Sequence, residues 1–208
     1  MRETKRYATV PVALLALTAT LAGPAHGAAE PVLKPKVPFS GDLIIKRPGK
    51  RTVSIRMYYG ATHIRMDVTF LKRSLVTIVD RLKREVVLLL PHRREYLKVP
   101  SSARARAAID RLIGTRGNLK PVGPEKVGGI ATTKYQVTTK TAAGKRFAGH
   151  IWLTSDNIMV QTIGTTPKGA VHIAMRNLRR GKINPALFVI PSGYAERKPS
   201  KKAVKPGR

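Results

Sequence analysis

The run TVSIRMYYGATHIRMDVTF, residues 52–70, carries two cycles of strict alternation around a Gly-Ala break. In the first, Val53, Ile55, Met57 and Tyr59 point one way, and Thr52, Ser54, Arg56 and Tyr58 point the other. The second repeats this, with Ile64, Met66 and Val68 set against His63, Arg65 and Asp67. A period of two with one dry and one wet face is the pattern of an antiparallel sheet packed on one side. Around this pair the chain breaks into similar short runs about ten residues apart: FSGDLIIK, SLVTIVD, EVVLLL and EYLKV. EVVLLL is apolar on both faces, so another segment is expected to cover its outer side.

After these six runs comes SSARARAAIDRLIG, residues 101–114, which reads as a helix. Ser101 or Ser102 can cap it and Gly114 can end it. Ala105, Ala108, Ile109, Leu112 and Ile113 form one apolar stripe, which suits packing on the dry face of the sheet. GNLKPVGPEKVGG reads as turns, and the meander resumes with IATTKYQVTTK, KRFAGHIWLT, NIMVQTIG and AVHIAMRNL. NPALF reads as a brief helical turn before the closing VIPSGY. The expected fold class is mainly β: a curled antiparallel sheet, an incomplete or half barrel, with one helix packed on its concave face.

The ends have their own composition. Residues 1–27 combine a basic start (MRETKR), an uncharged stretch containing VALLALTATLA, and small residues at Ala25 and Gly27. This is the three-part pattern of a secretory signal peptide cut near Ala28. Residues 28–38 are Pro-rich and read as an extended leader, 39–195 as a single half-barrel domain, and 196–208 as a basic, disordered tail. The chain has no cysteine, hence no disulfide, no thiolate metal site and no lipidated cysteine. The expected product is periplasmic, not a lipoprotein, and monomeric.

The 208 residues hold 40 Lys and Arg against 11 Asp and Glu, a formal net charge of +29. Such an excess calls for an anionic neighbour. Export argues against nucleic acid, and aromatics at 5% are too few for a run of base-stacking platforms. The carboxylates (Asp42, Asp67, Asp80, Glu85, Glu95, Asp110, Glu125, Asp156) are scattered singly, with no spacing that converges two in a cleft. His63 and Asp67 share a strand face, but no HExxH or other ligand spacing accompanies them, and no GxSxG elbow occurs. No enzyme, cofactor or metal is expected.

The phrases FSGDLIIKRPGKRTVSIRMYYGATHIRMDV (39–68), VTIVDRLKREVVLLLPHRREYLKVP (76–100), GHIWLTSDNIMVQTIG (149–164) and NPALFVIPSGY (184–194) resemble those of outer-membrane lipoprotein carriers and lipoprotein-sorting-like proteins, the LolA-like and LolB-like family. The resemblance covers about residues 39–195. It implies an incomplete barrel closed by helices and a carrier role toward lipid or lipoprotein acyl chains. On this reading the ligand lies against Val53, Ile55, Met57, Ile64, Met66 and Val68, with Trp152 in the core or at the rim.

Turn parity supplies a second candidate surface. In an up-and-down meander, alternate turns share an end. Lys46, Arg47, Lys50 and Arg51 flank the first, Lys72 and Arg73 the third, and Arg93 and Arg94 the fifth. These eight are expected to crowd one rim and face an anionic membrane surface or lipopolysaccharide. The alternative reading of the whole chain is an envelope sensor or scaffold that binds protein or anionic polymer through its edges and basic rim.

Overall fold

The computed structural model describes residues 33–70, 73–99, 118–140 and 146–197. The helix expected over 101–114, Lys72, the signal segment and most of the basic tail lie outside the described residues. What is described is nearly all strand: β1 (Phe39–Lys46), β2 (Val53–Tyr59), β3 (His63–Phe70), β4 (Arg73–Asp80), β5 (Glu85–Leu90), β6 (Glu95–Val99), β7 (Asn118–Val127), β8 (Ile130–Lys140), β9 (Arg146–Leu153), β10 (Met159–Thr166), β11 (Gly169–Arg180) and β12 (Ala195–Glu196). They form one sheet in the order β12-β6-β5-β4-β3-β2-β1-β11-β10-β9-β8-β7. It is unclosed, and every neighbouring pair is antiparallel except β12, which runs parallel to β6. The expected curled, incomplete antiparallel barrel is the architecture found.

The register fixes the two faces. Phe39, Tyr59, Ile64, Val79, Val86 and Val99 lie opposite one another in a row across β1–β6. All but Val99 are buried. Ile158, from the turn between β9 and β10, and Met175 of β11 pack into the same cluster, so the sheet curls with this face inward. Val137, Ile151 and Leu153 continue the inner face across β8 and β9. Glycines open space for this curl. Gly149 and Gly164 pair across β9 and β10, and a Cβ on Gly164 would lie 2.6 Å from the Phe147 ring. At this pair the strands approach too closely for a side chain, which glycine permits.

The outer face of β4–β6 is also apolar, as EVVLLL implied. Val76, Ile78 and Leu89 are buried there beneath Phe188, Ile190 and Tyr194. The C-terminal segment therefore straps the outside of the sheet. It begins with a 3-10 turn, Pro185–Phe188, whose first N–H groups are capped by Asn184 Oδ1 accepting from Ala186 N at 2.9 Å. Phe188 stacks on His63 at 5.5 Å, and Arg65 donates to the Leu187 carbonyl at 2.8 Å. Tyr194 delivers the chain to β12, which covers the free edge of β6.

Two elements depart from the sequence reading, the first being β12, which pairs with β6 and reaches into the segment read as tail. In the second, residues 118–127, read as turns, form edge strand β7. Pro121 and Pro124 lack an N–H, yet an edge strand pairs on one side only and tolerates this. A register shift between Pro121 and Gly123 absorbs the misfit.

Candidate functional site

The six inner-face candidates come together. Register pairs Ile55 with Val68, Met57 with Met66, and Tyr59 with Ile64, and Val53 follows on the same side of β2. Ile64 is fully buried at 0% exposure and Val68 is buried, whereas Val53, Ile55, Met57 and Met66 are half-buried. Their half-buried neighbours across the strands are Leu43, Leu75, Thr77 and Leu88. A closed core thus gives way, one residue pair further along, to a partly accessible apolar band. Unbranched methionines at the centre of the band adapt to chains of varying shape.

Trp152 does not join them. It pairs with Gln161 and Lys134, on the opposite side from Ile151 and Leu153, and so lies on the outer face. There it is 4% exposed, with Lys134 Nζ 5.0 Å over its ring and His150 tilted against it at 6.0 Å. Strict alternation along HIWLT already set it apart from Ile151 and Leu153.

The wet face holds ion pairs rather than a reactive set. Asp42 accepts from Asn177 at 2.7 Å and from Arg56 at 3.1 Å. The Asn177 bond, with Arg56 beside it, holds this carboxyl below its ordinary range despite partial burial. Arg65 makes two bonds to Asp67, at 2.7 and 3.0 Å. Asp67 is thereby occupied, while His63 faces Asp80 at 3.6 Å. Partial burial raises the Asp80 carboxyl, but the backbone N–H groups of Lys83 and Leu82 outweigh it and hold the group low. Among the described residues no three His, Asp or Glu side chains cluster as a metal site would require.

Of the eight rim candidates, seven are described, and the topology puts all seven at one end of the sheet. Lys46, Lys50, Arg51, Arg73, Arg93 and Arg94 are exposed and Arg47 is half-exposed. Lys168, in the turn between β10 and β11, lies at the same end and was not singled out from sequence. It would have been found by carrying turn parity past β11, whose pairing with β1 is not readable from the chain. The opposite end is built differently. Arg81 folds back over Tyr59 at 4.4 Å, donating to its hydroxyl at 2.6 Å and to the carbonyls of Gly60 and Ala61. Arg180 is held by Asp156 at 2.7 Å.

Comparison with known proteins bears on the fold. No protein-family model matches the chain, and no curated protein matches it in sequence. Its structure is similar to an uncharacterised conserved protein from Thermus thermophilus, with 12% identity, 78% of this chain and 90% of that chain covered, and a TM-score of 0.54. Weaker likenesses include the Pseudomonas aeruginosa MucA/MucB complex (13% identity, 76% of this chain, 56% of that chain, TM-score 0.47) and a LolA superfamily protein from Nitrosomonas europaea (10% identity, 76% and 92%, TM-score 0.41). At such identities the likeness is one of fold.

Proposed function

We propose that this protein is a non-enzymatic periplasmic carrier or binding protein that holds an acyl chain or similar hydrophobic moiety against the inner face of its half barrel. One observation carries the reading: Val53, Ile55, Met57 and Met66 form a half-buried apolar band directly beside a fully packed row, on the concave side of an unclosed sheet. Trp152, on the outer face, has no part in this site. The energetics are adequate, since a dozen methylenes at ~0.8 kcal/mol each give about 10 kcal/mol before ordering costs. The periplasmic assignment is supported by the charge, apolar and small-residue pattern of residues 1–27.

The test is mass spectrometry of organic extracts from protein purified from its native envelope, paired with titration of a fluorescent fatty acid. Stoichiometric acyl lipid in the extract, or saturable probe binding, supports the proposal. A lipid-free extract together with absence of probe binding overturns it.

A further inference from the structure

Charge is segregated along the strands of this sheet. At the end formed by the first, third and fifth turns, Lys46, Arg47, Lys50, Arg51, Arg73, Arg93, Arg94 and Lys168 come together. Among the described residues no ion pair reaches any of them. The described acids nearest that end are already engaged: Glu95 lies 3.8 Å from Arg197, and Glu196 is held by Lys98 and Tyr96. Asp80, Glu85, Glu125 and Asp156 all lie toward the other end. There Arg81 and Arg180 are bound to the protein itself, and the exposed Lys83, Arg84, Lys126, Arg179 and Lys182 share their end with those four acids. Among the described residues the two ends therefore differ in the acids they hold: four at the far end, and at the rim only the engaged Glu95 and Glu196. Eight cations without ion-pair partners on one rim give a positive potential that an extended anionic surface would neutralise.

We infer that this rim docks the protein end-on onto an anionic bilayer surface, with the strands standing off the membrane. The inference rests on charge placement and does not depend on acyl binding. Exposed cations spread over four turns suit a leaflet of phosphate headgroups, where each basic residue adds to adsorption and none needs a shaped pocket.

The experiment is co-sedimentation of the full chain with phosphatidylcholine vesicles, with and without phosphatidylglycerol. The protein is expected to bind the anionic vesicles alone, and to be released as salt rises from 0.1 to 1 M and the Debye length falls from ~10 to ~3 Å. Two charge-matched variants locate the contact. Reversing Lys50, Arg51, Arg73 and Arg93 to Glu should weaken binding by at least about a hundredfold. Reversing Lys83, Lys126, Arg179 and Lys182, at the far end, should change it by less than about tenfold. Replacing the four rim residues with Gln provides a milder variant whose unchanged melting temperature certifies the fold. Equal losses from the two ends, or binding that survives rim reversal, would overturn end-on docking, as would wild-type protein that ignores phosphatidylglycerol.

Discussion

Ile64 and Met66 are two residues apart on one strand and on one face, yet the structure gives them different work, and paired substitutions expose this. Ile64 is at 0% exposure between Tyr59 and Val79 in the packed row. Ile64→Ala removes buried methyl and methylene groups and leaves a cavity that the row cannot collapse into, a change that costs about 2–5 kcal/mol. For a domain of this size each kcal/mol lowers Tm by roughly 2–4 °C, so a fall of about 10 °C is expected. Met66 is half-buried, so Met66→Lys can carry its stem along the apolar band and send the ammonium to water. Its cost should stay below about 1 kcal/mol, since no charge is trapped. Binding should show the reverse order. Ile64→Ala should keep its affinity for a fluorescent fatty acid below its Tm, and Met66→Lys should lose most of it, because an ammonium now lies where methylenes would pack. Circular-dichroism melts and probe titrations on the same samples decide the matter. If Met66→Lys unfolds the domain as Ile64→Ala does, the band is ordinary core. If it is stable and binds normally, the ligand lies elsewhere.

Three further outcomes follow from particular contacts. Gly149→Ala places a Cβ against the Ile163 carbonyl and the Gly164 Cα, and forced overpacking of this kind costs about 1–3 kcal/mol, which chemical denaturation should show; Gly49→Ala meets open space and should show only the strain of its left-handed φ of +63, about 1–2 kcal/mol. Phe188→Ala unclasps the outer strap from His63 and from the Val76, Ile78 and Leu89 patch, and should raise binding of a hydrophobic dye while lowering Tm. Arg180 bonded to Asp156 holds that carboxyl below its ordinary value of 3.8, so its stabilisation is present above that pH and disappears as pH falls through the depressed folded value. Asp156→Asn should therefore flatten the acid limb of a stability-pH curve while leaving its slope near neutrality unchanged.

The sequence disclosed those elements whose burial is one-sided. In β2 and β3 a polar residue alternates with an apolar one because water meets only one face, and the pattern survives without knowledge of the partners. Its turn parity likewise needs only consecutive pairing, which is why seven of the rim cations were locatable. Strand β7 was hidden because its Pro and Gly obey edge-strand rules that local propensity reads as turns. The fate of Arg81 was hidden for another reason: its partners, Tyr59, Gly60 and Ala61, lie some twenty residues back, and nothing in a charged turn signals that one guanidinium is folded inward. The outer strap was half legible. EVVLLL demanded a cover, but that NPALFVIPSGY supplies it depends on where β11 ends.

Strand β1 begins the described sheet yet lies at its middle. On one side of it β2 to β6 follow in chain order, and on the other β11 back to β7 do the same. Each arm can therefore zip up from neighbouring hairpins with short loop closures. The main sheet is completed by a single joint, β1 against β11, whose partners are more than a hundred residues apart and whose register slips between Ser40 and Asp42. Among the described pairings this joint closes the longest loop, so it should govern the folding rate. Until it closes, the chain is two ribbons with exposed inner edges, the state in which it is most open to capture by another copy of itself.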